Sequence, residues 1–358
     1  MSQHRLPGRR RLQRRRGLPW RPVGALAVAL LLTGGVAVAA AQGWVETGTA
    51  PAALDRAPAV QDIVAAPPAL HRDPDTSEKH PHPGLTALAE EAEQKAKRER
   101  QRKKRQELAP TTTFRVASIN ALGDSHTRPG GNKPRFAPSA TRTRGLVSIL
   151  AGQQVDVVGL QEFEVPQRAY FQRIAPAWDV FTGSERGHDS IAYRTDVWEY
   201  VAGGTGTIPY FHGNPAPMPW VTLRHRETGR EISFISIHNP TSNARRGNNA
   251  ASRAEATRRE IAAVRSLADN GNPVLLLGDF NERGEAFCMV TGGGDIGAAN
   301  GGSVGGACSP PPGAGIDWIF GTTDIEFSDY VRYQDGLVQR TTDHPAVVAR
   351  ATITEPLP

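Results

Sequence analysis

The sequence lacks the motifs of two common classes of functional site. No C-x₂₋₄-C pair and no H-x₃₋₅-H pair occurs, so the spacing typical of a structural zinc site is missing. No glycine-rich loop ends in the Lys-Ser/Thr pair that cradles nucleotide phosphates. No internal repeat is present either. These absences exclude a zinc-finger module, a P-loop nucleotide-binding protein and a repeat array as first interpretations.

Cysteine is scarce, with two residues in 358. Cys288 and Cys308 lie twenty positions apart across a glycine-rich stretch. If the protein leaves the cytoplasm, a disulfide could close that loop. The sequence leaves this open against a pair of free thiols, and it does not favour a catalytic thiol.

The C-terminal part also lacks an excess of positive charge. Residues 1–110 carry 19 Lys+Arg against 11 Asp+Glu (+8), and residues 111–358 carry 23 against 25 (−2), which together give the net +6 of the chain. The basic character therefore belongs to the N-terminal part. Charge alone gives no strong case that residues 111–358 bind nucleic acid tightly.

The N-terminal part has the pattern of a membrane-targeting segment. Arginine-rich residues 1–22 precede an uncharged apolar stretch, Val23 to Ala41, which ends in three alanines. Positive charge before an apolar segment keeps the N-terminus in the cytoplasm, so we expect the remainder to be extracytoplasmic. The segment is either a transmembrane anchor, which would place residues 23–41 in the membrane, or a cleaved signal peptide that leaves the protein secreted.

Residues 42–110 are predicted to be a linker and stalk. Residues 42–83 are rich in Ala, Pro and Asp without apolar periodicity, which favours a disordered spacer. From Ala87 to Leu108 acids precede bases without an apolar stripe, which favours a solvated helix. A minority alternative is that its basic end binds anionic surfaces. Globular sequence starts at Thr111, so a folded domain is expected over residues 111–358.

Within that domain, predicted strands alternate with helices, which favours layered sheets covered by helices. The strand Val274–Leu277 is apolar and stops at Gly278, after which Asp279 and Asn281 follow on either side of an aromatic residue. Residues two apart in an extended segment point to the same side. The pair could hold water, a metal or a phosphate oxygen, or it could be an ordinary Asx turn.

Similar polar residues recur where other predicted strands begin or end. Each has a simple structural explanation by itself, but together they share the rim of a sheet, where ligands bind in α/β proteins. Carboxylates with an amide suit a hard cation such as Mg²⁺ or Mn²⁺, and histidine beside carboxylate suits proton transfer. The full set of candidate residues is Asn120, Glu162, His238, Asp279, Asn281, Asp317, Asp343 and His344.

Six short segments, in order, resemble the endonuclease/exonuclease/phosphatase superfamily, which contains DNase I-like nucleases, sphingomyelinases and inositol-phosphate phosphatases. The segments are VASIN (116–120), VVGLQEFE (157–164), SIHNP (236–240), LLLGDFNE (275–282), GIDWIFG (315–321) and TTDHPAV (341–347). The resemblance covers residues 111–352. It implies an α+β fold, a two-layer β-sandwich flanked by helices, and a metal-dependent attack of water on a phosphate ester.

The resemblance also implies a role for each matched residue. Glu162 resembles the main metal ligand, supported by Asn120 and Asp343, with Mg²⁺ or Mn²⁺ as the cofactor. Asp279 resembles the residue that positions or deprotonates the attacking water. Asn281 resembles the amide that contacts the phosphate. His238 and His344 resemble the two histidines that contact the scissile phosphate, and Asp317 resembles the carboxylate that orients His344.

One position departs from the pattern of some nucleases in this group. Their glutamate that orients the first histidine is absent here or replaced by Asp189. This departure weakens a DNase I-like assignment specifically. The resemblance as a whole implies a nuclease or general phosphodiesterase that acts on a phosphate ester such as DNA or RNA, without a protein partner. A sphingomyelinase-like lipid phosphodiesterase and a catalytically inactive binding module on the same fold remain the alternatives. Arg245 and Arg246 form either a phosphate-contacting loop or a solvated one.

Overall fold

The computed structural model describes residues 91–101, 110–185, 187–305 and 307–355. Helix α1 covers residues 91–101, all of them exposed, within the helical stretch expected from Ala87 to Leu108. The predictions for residues 1–22, for the apolar segment 23–41 and for the spacer 42–83 lie outside the described residues. In the part of the chain that is described, no helix has both the length and the apolar composition needed to span a membrane.

The described residues from Pro110 onward form two β-sheets with helices on their outer faces. The strands are β1 (Thr111–Asn120), β2 (Val157–Gln161), β3 (Trp178–Phe181), β4 (Ser190–Arg194), β5 (Trp198–Pro209), β6 (Pro215–His225), β7 (Glu231–His238), β8 (Val274–Asp279), β9 (Ile296–Ala298), β10 (Asp317–Thr322), β11 (Ile325–Tyr333) and β12 (Ala346–Thr354). The helices are α2 (Asp124–Thr127), α3 (Ser139–Gly152), α4 (Val165–Ile174), α5 (Ala250–Ala268), α6 (Gly284–Thr291) and α7 (Gly336–Thr341). A short 3₁₀ turn covers Phe211–Gly213.

Both sheets have six strands and mixed direction, in the orders β11-β12-β1-β2-β4-β3 and β5-β6-β7-β8-β10-β9. Each is built around one parallel pair, β1 with β2 and β7 with β8. The strands that flank these pairs, β12 and β10, run antiparallel to them. The carboxyl ends of the parallel strands therefore meet the amino ends of β10 and β12 at one rim of the sandwich.

Three apolar layers stabilise this arrangement. The central layer lies between the sheets and contains Phe114, Trp198 and Phe234, whose rings pack edge to face with centroids 5.1–5.8 Å apart. A second layer packs β1, β2 and β12 against α3 and α4, and a third packs β7, β8 and β10 against α5 and α6. Strands buried on both faces read as continuous apolar runs, which explains the sequence of β8.

The expected two-layer sandwich flanked by helices is confirmed, and several short elements were missed. β9 lies inside the glycine-rich stretch that was read as a loop, and β11 and α7 occupy a stretch with no predicted element. β9 has only three residues, and the hydrogen bonds that fix it come from β10. Local sequence does not specify such an element because its partner strand does.

Cys288 and Cys308 form a disulfide, with Cα atoms 5.4 Å apart. The bond ties α6 to the loop that precedes β10. This settles the alternative that the sequence left open.

Reducing this disulfide is expected to lower the free energy of unfolding by about 3 kcal/mol, because the bond closes a loop of about twenty residues in the unfolded chain. Denaturant unfolding of the Cys288→Ser, Cys308→Ser double variant measures the effect. A reductant that lowers the midpoint of the wild type but not that of the double variant would attribute the loss to this bond. Equal midpoints for the wild type and the double variant in the absence of reductant would contradict the prediction.

Candidate functional site

All eight residues predicted for the site lie at the rim where the two parallel pairs end. Asn120 and Glu162 lie at the ends of β1 and β2, while His238 and Asp279 pair in register at the ends of β7 and β8. Asp317 opens β10 directly opposite Asp279. The residues of this set that line one cleft, of about 550 Å³, are Glu162, His238, Asp279, Asn281, Asp343 and His344. Asn120 and Asp317 are buried beneath it.

Asp279 is the centre of the site and is 1% exposed. Its Oδ2 accepts a hydrogen bond from Asn120 Nδ2 at 3.2 Å, and lies 3.4 Å from His238 Nε2 and 3.7 Å from His344 Nε2. Its Oδ1 accepts from the backbone N–H of Asn281 at 2.9 Å. One carboxylate therefore connects residues from both sheets.

Gly278, the residue before Asp279, allows β8 to lie close against β7. A Cβ there would lie 2.5 Å from the carbonyl oxygen of Ile237, so any larger residue would force β7 and β8 apart. The glycine that ends the apolar run is therefore required by the close packing of the parallel pair that presents His238 and Asp279.

His344 is held between two carboxylates. Its Nδ1 donates to Asp317 Oδ1 at 2.9 Å, which fixes the ring and leaves Nε2 facing the cleft. Burial by itself lowers the pKa of His344, but the hydrogen bond to Asp317 and the charges of Asp279 and Asp343 together raise that pKa to about 10. The imidazolium can therefore supply positive charge and a hydrogen-bond donor to an anion in the cleft.

Glu162 forms the other side of the cleft and adopts a left-handed backbone conformation, with φ at 53°. Its side chain accepts from Asn120 Nδ2 at 3.2 Å and from the backbone N–H of Gly123 at 3.1 Å. Its Oε2 also lies 3.2 Å from His126 Nε2. Burial raises the pKa of Glu162, yet these partners, with His126 foremost, hold it well below its usual range.

Asp343 is paired with a lysine. Lys133 Nζ lies 2.6 Å from Asp343 Oδ2, and the pKa of His126 is raised to about 9 by its hydrogen bond to Glu162. The two carboxylates predicted to bind a metal are thus each paired with a cationic side chain from the segment between β1 and α3. Oxygen ligands that need such compensation are the donors a hard divalent cation prefers.

A second group of possible ligands differs from the predicted one. One ligand atom from each of Asp279, Asp317 and His344 lies within 4.8 Å of the others. Because His344 fills the space between the two aspartates and hydrogen-bonds to Asp317, we interpret this group as a carboxylate–imidazole row. Metal binding by Glu162 and Asp343 stays a prediction.

Asn281 is held by the backbone of the neighbouring strand. Its Nδ2 donates to the carbonyl oxygen of Asn239 at 2.8 Å, and the N–H of Asn239 donates to the carbonyl oxygen of Asp279 at 2.8 Å. Asn281 also has a left-handed backbone, with φ at 51°. The Asx turn weighed as the alternative is present, and it coexists with exposure of the amide to the cleft.

Beneath this turn lies Glu260 of α5, which is 0% exposed beside the side chains of Asn239 and Thr257. Neither of its carboxyl oxygens makes a hydrogen bond of good geometry. Burial raises the pKa of Glu260 to about 8, so the folded protein keeps this group neutral at pH 7.

Replacing Glu260 with glutamine is therefore expected to stabilise the protein above pH 4.5. Below its ordinary value of 4.5 the carboxyl is neutral in both states. Between pH 4.5 and 8 the unfolded chain ionises while the folded one does not, so the wild type loses stability, by a few kcal/mol at most, and the loss levels off above pH 8. Thermal melts from pH 4 to pH 9 measure this difference.

Glu255→Gln on the same helix is the matched control. Glu255 is paired with Arg258 and Arg259 at the surface, and its pKa is lowered by those arginines. A Glu260→Gln stability difference that stays flat over this pH range would contradict a raised pKa for Glu260.

Asp189 lies close to His238, as expected if it replaces the orienting glutamate. Both line a smaller cavity of about 230 Å³ together with Tyr210. Burial raises the pKa of Asp189 to about 7, while the nearby His238 opposes this rise. No hydrogen bond joins Asp189 to His238 in the described residues, so their relation is one of proximity and charge.

Three residues of the site were not identified from the sequence: His126, Lys133 and Tyr210. The Tyr210 ring packs edge to face on His238 with centroids 5.7 Å apart. His126 lies in the short helix α2 and Lys133 in the loop after it, within a glycine- and proline-rich stretch that carries no periodic pattern. Lys133 is the sole lysine of residues 111–358, and this rarity was the available signal.

Comparison with known proteins agrees with this arrangement. The model of the endonuclease/exonuclease/phosphatase family matches residues 117–344. No significant match to a curated protein was found. Three solved structures share the fold. A Bacteroides thetaiotaomicron endonuclease/exonuclease/phosphatase family protein has 17% identity and a TM-score of 0.56, covering 69% of this chain and 100% of that one. The human Nocturnin catalytic domain with bound sulfate has 14% identity and a TM-score of 0.52 (coverage 70% and 99%), and ANGEL2, a 2′,3′-cyclic phosphatase, with adenosine-2′,3′-vanadate has 11% identity and a TM-score of 0.51 (coverage 68% and 96%).

The family match covers well over half of the chain and includes every residue of the predicted site. The two six-stranded sheets and their outer helices are the DNase I-like architecture that the solved structures share. The protein belongs to the endonuclease/exonuclease/phosphatase family, whose members hydrolyse phosphate esters.

Proposed function

We propose that the protein is a metal-dependent hydrolase of phosphate esters, and more specifically a nuclease or phosphodiesterase that acts outside the cytoplasm. The observation that carries the proposal is the convergence of His238, His344 and Asn120 on Asp279 Oδ2, within 3.2–3.7 Å. A buried carboxylate surrounded by donors is suited to positioning water and then accepting its proton.

In the proposed reaction, a water oxygen bonds to phosphorus as the bond to the leaving oxygen breaks, with the two in line. Asp279 orients the water and takes its proton. His238 and His344 donate hydrogen bonds to the phosphate oxygens, where negative charge increases. Preorganised donors of this kind contribute about 3–4 kcal/mol each to lowering a barrier, and Asp317 contributes by holding the His344 ring.

Glu162 and Asp343 would hold the metal, with the amide of Asn120 beside them. When bound, the ion supplies positive charge to the phosphate and its leaving group. Two carboxylates favour Mg²⁺ or Mn²⁺ over softer metals. Asn120 would support them by orienting Glu162, because its Nδ2 donates to Glu162 while its Oδ1 accepts from the backbone N–H of Leu122. His126 and Lys133 pair with the same two carboxylates.

Two alternatives are less well supported. An inactive binding module would be expected to lose acids or histidines of the site, and all eight are retained at one rim. A lipid phosphodiesterase would be expected to expose apolar side chains beside the cleft. The large exposed apolar residues of the described part are Val165, Tyr200, Val304 and Val331, and none of them lines the cleft.

Action outside the cytoplasm is supported by two independent observations. The apolar segment 23–41 follows an arginine-rich leader. The Cys288–Cys308 disulfide is typical of oxidising compartments. Whether residues 23–41 anchor the protein or are removed is tested by the N-terminus of the mature protein in membrane and soluble fractions.

The proposed function is tested by assaying the purified full-length chain on plasmid DNA, RNA, sphingomyelin and bis(p-nitrophenyl) phosphate, each with Mg²⁺ and with EDTA. We expect EDTA-sensitive hydrolysis of the chromogenic diester and of at least one nucleic acid. Hydrolysis of sphingomyelin alone would favour the lipid alternative. No EDTA-sensitive turnover of any substrate would overturn the proposal.

A further inference from the structure

A second cavity, of about 800 Å³, begins at the active site and extends away from it between α3 and α7. Asp343 and His344 line both this cavity and the cleft that contains Asp279. If the scissile phosphate of a substrate contacts His344, the part of the substrate bonded to that phosphate would lie at the mouth of this second cavity.

The lining of this cavity carries a net positive charge. Its lining contains three arginines, Arg135, Arg144 and Arg340, and a single acid, Asp343, which is already paired with Lys133. Among the described residues none of the three arginines has a carboxylate partner. Elsewhere on the surface many arginines do, as in the pairs Arg350–Asp329 and Arg265–Asp295.

Aromatic rings hold two of these guanidinium groups in place. Arg135 lies over the Phe136 ring at 5.3 Å, and Arg144 lies over the Tyr170 ring at 5.5 Å while donating to the Tyr170 hydroxyl. Arg173 lies over the same Tyr170 ring at 4.7 Å and continues the row along α4. A guanidinium held by a ring keeps its full charge and its planar set of donors, which match phosphate oxygens.

The floor of the cavity is apolar, and the arginines form its rim. Phe136, Leu337 and Val338 contribute to it. A positively charged groove interleaved with aromatic and apolar surface is the arrangement that binds single-stranded nucleic acid, because phosphates meet the cations and unstacked bases meet the apolar surface. The net charge of −2 for residues 111–358 does not reveal this feature, since acids elsewhere offset the clustered arginines.

We propose that this cavity, the arginine groove of Arg135, Arg144 and Arg340, binds the phosphates that flank the scissile one in a single-stranded polynucleotide. The inference rests on the proposed function and specifies its substrate class. It distinguishes a polynucleotide from a small monoester or diester, which would have no second phosphate to reach these arginines.

The test compares substrates of increasing length on the full-length chain with Mg²⁺: bis(p-nitrophenyl) phosphate, a dinucleotide, and 12-nucleotide RNA and DNA strands. We expect kcat/KM to rise with length in the wild type. In the double variant Arg144→Ala, Arg340→Ala, KM for the 12-nucleotide strand should rise by at least about tenfold, and the slope of log KM against log salt should fall by about 1.4 for two lost phosphate contacts. Turnover of the small diester should stay within about twofold of the wild type, which also shows that the variant is folded.

The matched control is the double variant Arg258→Ala, Arg350→Ala, which removes the same charge from ion-paired surface positions. A control as impaired as the groove variant would attribute the effect to net charge and overturn the inference. So would diester turnover without any length dependence, or a groove variant whose only defect is lost binding to anionic phospholipid vesicles. Absence of all turnover in the wild type would instead refute the proposed function.

Discussion

Replacing Asp279 with asparagine is expected to lower kcat for bis(p-nitrophenyl) phosphate by about 10³- to 10⁴-fold. The substitution keeps the shape of the side chain but removes the proton acceptor and the negative charge on which Asn120, His238 and His344 converge. General base catalysis contributes about 10²- to 10⁴-fold, and the amide would also turn a donor toward groups that donate. Steady-state kinetics at saturating Mg²⁺ measures the loss.

Asp295→Asn is the control for this prediction, because Asp295 is a surface aspartate paired with Arg265. It should leave kcat unchanged. If Asp279→Asn retained the wild-type kcat while folding normally, Asp279 could not be the residue that handles the attacking water, and the assignment of the site's centre would be wrong.

Replacing Asp317 with asparagine is expected to lower kcat by about a hundredfold or more. Asp317 Oδ1 accepts from His344 Nδ1 at 2.9 Å and is 3% exposed. An amide there can rotate to donate, which favours the wrong tautomer of the ring and removes the charge that keeps it protonated. Because the raised pKa of His344 depends on Asp317, the activity of the variant should also fall at a lower pH than that of the wild type.

Asp329→Asn on β11 serves as the comparison, since it removes a surface aspartate paired with Arg350. The pH–rate profile separates a positioning role from a structural one. A variant with lower kcat but an unchanged alkaline limb would indicate that Asp317 supports the fold of the rim without controlling the charge of His344.

The layered sheets and the acids and histidines at their rim were predictable because they are coded locally, whereas the two-layer sandwich and the role of each residue came from the family resemblance. β8 is a continuous apolar run that ends in Gly278, and the polar residue that follows each buried strand marks the rim. Because ligands bind where the strands of α/β sheets end, Asp279 and His238 were expected at one rim without knowledge of the loops. The register of β7 with β8 and of β8 with β10 agrees with that expectation.

What the sequence did not reveal depends on contacts between distant segments. Lys133 and His126 contact Asp343 and Glu162 from the segment between β1 and α3, which has no periodic pattern, and nothing local indicates where such a segment packs. The arginine groove is equally hidden, because Arg144 and Arg340 are 196 positions apart in the chain (340 − 144) and become neighbours only through the packing of α3 on α7. The net charge of residues 111–358 does not show this cluster, because acids elsewhere in the domain offset its arginines.

The most direct test of a metal-dependent hydrolytic site at this rim is a metal titration of the full-length chain. The initial rate of bis(p-nitrophenyl) phosphate hydrolysis is measured after EDTA treatment and then at increasing Mg²⁺, for the wild type and for Glu162→Gln. We predict no hydrolysis in EDTA and full recovery with Mg²⁺ in the wild type. The variant should need at least about tenfold more Mg²⁺, because loss of even an outer-shell partner of a metal ligand costs about 10- to 100-fold in affinity. A wild-type rate that is the same in EDTA as in Mg²⁺ would contradict the account.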